Sequence, residues 1–127
     1  MTTPQQPEPQ HLLSAAEIPV LKMAGVMNVD TVRPFSEDVM RALKAGQWCL
    51  VIEMSDLESL SGGAMGALLL KQSEAERHGG SIKLAAVPEP IRTILSSSGL
   101  AEVFKIHPTV EDAKKALLGN RRRPRVA

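Results

Sequence analysis

Residues 48–80 read WCLVIEMSDLESLSGGAMGALLLKQSEAERHGG. Residues 48–54 form a short, nearly continuous apolar run, which marks a strand covered on both faces. The Ala, Met and Leu spacing over 62–78 predicts a helix, stopped by Gly79 and Gly80. Between them, residues 55–63 read as a loop leading straight into that helix. Working outward, residues 18–24 predict a strand closed by Gly25. Val32, Phe35, Val39, Met40 and Leu43 then fall at helical spacing, with Asn28 or Asp30 as N-cap, Pro34 in the first turn and Gly46 at the end. Downstream, residues 82–87 predict a strand, 88–97 a helix, 103–106 a short strand and 109–118 a helix capped by Thr109 and stopped by Gly119. Residues 11–14 would add a first edge strand.

This alternation predicts one α/β domain: a four- to five-stranded, mostly parallel sheet with alternating helices. The chain has 127 residues, the size of one domain. Residues 1–10, with three Pro and three Gln, read as a disordered arm. Residues 11–119 read as the domain and 120–127 as a basic tail. No apolar run approaches the roughly 18–20 residues that span a bilayer, and the N-terminus lacks the pattern of a secretory signal. Cys49 is the one cysteine, so no internal disulfide forms, and no Cys/His cluster suggests zinc. The cytoplasm is the expected compartment.

Aromatic residues make up 2% of the chain, which argues for an aliphatic core and against single-stranded nucleic-acid binding by stacking. The formal net charge is +1, and the tail arginines Arg121, Arg122, Arg123 and Arg125 outweigh it. The body is therefore mildly acidic and ill-suited to a polyphosphate partner. The tail reads as a solvated terminus. No Ser-His-Asp or paired-carboxylate arrangement points to an enzyme, and no cofactor is implied. Cys49 reads as a core thiol, His78 as a residue favouring a helix C-terminus, and His107 as an exposed turn residue. Met65, Leu68 and Leu69 would line one helix face, with Met65 shared between core and partner surface.

In open α/β sheets, function sits at the carboxyl ends of strands and in the loops that follow. Those loops are residues 25–30, 55–63, 88–90 and 107–109. The second is the most informative, because its glycines let another surface approach and the helix start exposes backbone N–H groups. Ser59 and Ser61 place hydroxyls there, and Asp56 and Glu58 make it locally acidic.

From the first strand to the last helix the chain resembles the STAS domain, and within it the bacterial anti-sigma factor antagonists. Three stretches carry the resemblance. GVMNVD at 25–30 is similar to the family's turn between strand and helix, with Asn28 where the family usually has Asp. Residues 51–66, followed by a helix ending at Gly79-Gly80, resemble the family's strand, D-S-S-G-x-G loop and helix. VPEPIRTILSSSGLAEVF at 87–104 is similar to the family's small-residue-Gly-Leu turn before the last strand. In this register the family's Asp falls on Ser61, its phosphorylated Ser or Thr on Gly62, the following Ser on Gly63 and its Gly on Ala64. Glycine has no hydroxyl, so the usual phosphoacceptor is absent.

The resemblance implies a non-catalytic protein–protein regulator. Its partner surface would comprise Asn28, Asp30, Asp56, Glu58, Ser59, Ser61, Gly62, Gly63 and Met65. The implied partner is an anti-sigma factor or serine kinase with a histidine-kinase-like ATPase fold, with phosphorylation, if retained, moved to Ser61 or Ser59. The alternative is a constitutive subunit of a lipid-transport ATPase or a sensory assembly, and self-association is also open. A third reading is a nucleotide or small-ligand module, with residues 61–63 cradling a phosphate. Residues 60–63 (LSGG) also match an ABC ATPase signature, but no phosphate-binding loop accompanies them, and the match is chance.

Overall fold

A computed structural model describes residues 17–122. In chain order the elements are β1 (Val20–Lys22), β2 (Gly25–Met27), α1 (Val32–Lys44), β3 (Cys49–Glu53), β4 (Leu57–Leu60), α2 (Gly62–Arg77), β5 (Ser81–Ala85), α3 (Glu89–Ser97), α4 (Leu100–Phe104), β6 (Ile106–His107) and α5 (Val110–Arg122). The main sheet has four strands, all parallel, in the order β1-β3-β5-β6. Beside it, β2 and β4 form a separate two-stranded parallel sheet.

The apolar run of β3 behaves as its composition requires. Successive side chains point to opposite faces. Leu50 and Ile52 join Ile82 and Leu84 of β5 in a core roofed by Val39 and Leu43 of α1, Leu68 of α2, Leu95 of α3 and Phe104 of α4. Cys49 and Val51 face the other way, into a smaller core with Ile18, Ala85 and the α5 residues Ala113 and Leu117. Four helices thus cover one face, and α5 packs on the other.

Buried polar groups pin the layers together. Gln72, 1% exposed in the middle of α2, accepts a 2.7 Å bond from the Ile82 N–H of β5 and donates a 3.1 Å bond to the Val103 carbonyl of α4. At the far end of α2 the His78 ring stacks on Trp48 at 3.6 Å between centroids. Gly80 closes this corner: its N–H donates to the Ala75 carbonyl, and a Cβ there would collide with the Trp48 carbonyl.

Several boundaries differ from the sequence expectation. The early strand is shorter than 18–24, and the loops at 25–30 and 55–63 each contain a strand, β2 and β4, which pair with each other. That pairing is non-local, so three- and four-residue strands carry too little local pattern to announce it. The strand expected at 103–106 begins later, because Val103 and Phe104 close α4. Lys105, at φ +61, breaks the helix and leaves only Ile106 and His107 as strand. His107 is accordingly half-buried beside Ala85, not an exposed turn residue. Helix α5 continues through Gly119 to Arg122 rather than stopping there. Leu69 is 38% exposed, whereas Leu68 is buried. The expected arm at 1–10, the edge strand at 11–14 and tail residues 123–127 lie outside the described residues. Among the described residues, no helix is long and apolar enough to cross a membrane.

Replacing Gly80 with Ala forces the backbone away from Trp48. Gly80→Ala should cost about 3 kcal/mol of stability, as overpacking against backbone does, measured by chemical denaturation.

Candidate functional site

The loops singled out in the sequence come together because β2 and β4 run side by side. The Gly25 N–H donates to the Asp56 carbonyl at 3.0 Å, and the Ser61 N–H donates to the Met27 carbonyl at 2.9 Å. Val26 pairs with Ser59 and Met27 with Leu60, after a register shift at Gly25/Val26. The two strands therefore end together, at Met27 and Leu60, and hand the chain on to Asn28 and Ser61.

Asn28 organises the turn after β2. Its Oδ1 accepts from the N–H groups of Asp30 and Thr31, both at 2.9 Å. The Thr31 hydroxyl donates to the Val26 carbonyl at 2.7 Å and accepts from the Asn28 N–H at 2.8 Å. Neither Asn28 nor Asp30 is the N-cap of α1, as the spacing suggested. That position belongs to Thr31, which makes no side-chain cap bond because its hydroxyl is spent on the turn. The cap function of Asn28 survives one step earlier, as the acceptor that rigidifies residues 28–31.

At the start of α2, Ser61 is the N-cap. It is extended, at φ −83 and ψ 167, and its Oγ accepts from the Ala64 N–H at 3.2 Å. The first turn of α2 bears no acidic residue, so its remaining N–H groups keep their partial positive charge. Gly62 and Gly63 are both exposed but differ in surroundings. A Cβ on Gly63 would meet the Val29 Cβ at 3.0 Å, whereas one on Gly62 would meet nothing within 4 Å. Gly63 is thus the residue that lets the Asn28 turn lean on the helix start. Gly62 is an open position that could carry a side chain and does not.

The other predicted site residues are not all brought to this junction: Asp56 lies beside Gly25 at the opposite end of the β2–β4 pair. Asp30 and Glu58 are exposed, Ser59 is half-buried in β4, and Met65 is half-buried against the main core. The Ser98 hydroxyl at the end of α3 reaches the Met65 sulfur at 3.7 Å. Asp56 is exposed and ion-paired to Lys22 at 2.7 Å. That hydrogen bond, with the carboxylate's charge, raises the Lys22 pKa, so the acidic character of the loop rests more on Glu58 than on Asp56.

Sequence reasoning passed over three apolar residues: Val26, 52% exposed on β2; Val29, 63% exposed in the turn; and Leu70, 69% exposed on α2. Gly62, Gly66 and Leu70 recur every four residues and share one helix face. Bare backbone at Gly62 and Gly63 is thus exposed beside Val29, and Leu70 lies two turns further along the helix. The signal available in the sequence was the valines flanking Asn28, whose exposure depends on the β2–β4 pairing. Among the described residues, no group of three or more His, Cys, Asp or Glu side chains could hold a metal ion.

Removing the Ser61 cap should cost stability without unfolding the chain: Ser61→Ala is expected to lose about 1 kcal/mol. Gly62→Ala and Gly63→Ala should separate, since both gain helix propensity but only the second presses on Val29. The Gly62 variant should be the more stable by about 1 kcal/mol. Thermal and urea denaturation check both.

Among curated proteins none matches the chain in sequence. Solved structures do match in fold. The crystal structure of TM1081 from Thermotoga maritima, a candidate anti-sigma factor antagonist, superposes with a TM-score of 0.72 at 22% identity, over 77% of this chain and 85% of that one. The NMR structure of TM1081 gives 0.70 at 23% identity, over 83% and 82%. The phosphorylated form of the Bacillus cell fate determinant SpoIIAA gives 0.58 at 19% identity, over 84% and 96%. At these identities the likeness establishes the fold. The STAS domain family itself matches residues 11–113, a span that takes in both converging loops and the start of α2, and the chain belongs to the STAS domain family.

Proposed function

We propose that this STAS domain is a non-catalytic cytoplasmic regulator that binds a partner protein through the β2–β4 end of the molecule. The docking surface comprises Asn28, Asp30, Asp56, Glu58, Ser59, Ser61, Gly62, Gly63 and Met65, joined by the exposed Val26, Val29 and Leu70. The observation that carries the reading is the close approach of Val29 to Gly63, where an added Cβ would come within 3.0 Å of the Val29 Cβ. It brings the Asn28 turn to the helix start and leaves bare backbone beside an exposed valine, which suits close approach by another protein.

The partner proposed is a protein with a histidine-kinase-like ATPase fold, as for the anti-sigma factor antagonists this chain resembles. Docking is constitutive. Position 62 has room for a side chain but lacks one, and the Ser61 hydroxyl is engaged as the helix cap. A phosphoryl group on Ser61 would bring a new charge to the helix start, where its oxygens could take over the cap, and one on Ser59 would sit within a paired strand. A subunit role in a transporter ATPase uses the same surface and is the competing outcome.

An affinity pull-down of the tagged chain from its own organism, with phosphate mapped on the bait, tests the reading. Recovery of a histidine-kinase-like ATPase with Ser59 and Ser61 unmodified is the expected result. Phosphate on either serine would make the surface a relocated switch, and recovery of a transporter ATPase would change the assignment. For the recovered partner, Gly62→Glu should weaken binding by about 2 kcal/mol or more, roughly 30-fold, because a charge is buried without a partner. The added side chain points into open space, so the variant should stay folded, and full binding by it would take this surface out of the interface.

A further inference from the structure

The second face of the sheet has a feature that partner binding at α2 does not use. His107 lies on β6, in register with Ala85, and its Nε2 is buried with no hydrogen-bond partner. This strand is only two residues long. It is held to β5 in part by a 3.1 Å bond from the Ala86 N–H to the His107 carbonyl. Pro108 and Thr109 then lead into α5, whose Ala113 and Leu117 pack over Cys49, Val51 and Ala85. The attachment of this cover therefore depends on a short strand that carries a half-buried imidazole with a buried, unpartnered ring nitrogen.

A buried ring nitrogen with no partner is tolerable as a lone pair. As a charged N–H it would be a buried cation lacking an acceptor. The charges that act on the ring come from both packed elements. Lys83 on β5, itself 7% exposed, opposes a charge on His107, and Asp112 on α5 favours one. Burial is the larger cause and Lys83 the second, and together they hold the His107 pKa below the ordinary 6.5. Lys83 is in turn lowered by burial and then by Lys105, which immediately precedes β6.

We propose that the β6–α5 unit is an acid-released latch: it is closed while His107 is neutral, and protonation loosens it and uncovers the Cys49–Val51–Ala85 face of the sheet. The sign follows from the lowered pKa. The unfolded or detached segment takes up a proton at about pH 6.5, while the docked one resists. The docking free energy is complete above that pH and declines as the pH falls through the docked value. The device is independent of the docking surface at α2, which lies on the opposite face.

Cys49 supplies the readout, because its thiol is buried under α5. Labelling of the full chain with a dipyridyl disulfide, which reacts with thiols in acid, is compared with labelling of the denatured chain at each pH. Between about pH 7.5 and 5.5, protection of Cys49 should fall progressively, because the detached segment takes up the proton that the docked one resists. Over the same range deuterium uptake should rise in residues 106–119 while β3 and α2 stay protected. His107→Phe should abolish the pH step. Asp112→Asn should enlarge it by removing the carboxylate that favours the charged ring, and Lys83→Met should shrink it. The latch is overturned if the parent shows no step, if His107→Phe keeps the full step, or if deuterium uptake rises uniformly across the chain. Should His107→Phe fail to fold, an unchanged step in Asp112→Asn overturns it equally.

Discussion

Everything in this fold is arranged around a strand that cannot face water on either side. Cys49, Leu50, Val51 and Ile52 are each at most 5% exposed, so β3 must be flanked by strands and covered by helices on both faces. Its neighbours β1 and β5 supply the first, and α1–α4 with α5 supply the second. The aromatic-poor composition suits this plan. Aliphatic side chains of similar size interdigitate on both faces, and Phe104 alone is a fully buried aromatic among the described residues.

The same strand decides where function can sit. The chain leaves β3 at Glu53, turns through Asp56 and makes β4 beside β2 before entering α2. This small parallel pair sets the distance between the Asn28 turn and the start of α2. Gly63 then allows the two to touch, and Ser61 keeps the helix start in place. The helix start owes its shape to missing atoms as much as to present ones: no side chain at positions 62 and 63, with the exposed Val29 beside the second.

The two faces of the sheet are covered unequally. Four helices share the main core, with Gln72 tying α2 to both β5 and α4 through paired polar groups. The second face relies on α5, anchored through a two-residue strand in which a ring nitrogen is left unpaired. Satisfied buried polar groups make one side rigid, and the unsatisfied one makes the other side responsive to a proton.

The sequence alone determined the order of the principal helices and three of the four strands of the main sheet, because apolar period and glycine punctuation are local properties of the chain. It also marked the start of α2 and its Ser61 cap, since a Ser-Gly-Gly before a helix has a direct meaning in backbone terms. Only the tertiary structure decided that residues 25–27 and 57–60 are strands, because Gly-Val-Met and Leu-Glu-Ser-Leu become strands only when paired with each other. The same is true of Gly62 and Gly63, adjacent and identical in sequence. A side chain on one would crowd Val29 and a side chain on the other would meet open space, a difference set by a turn more than 30 residues earlier in the chain. His107 looked like a loop residue because its burial comes from β5 and α5, neither of which is written into the residues beside it.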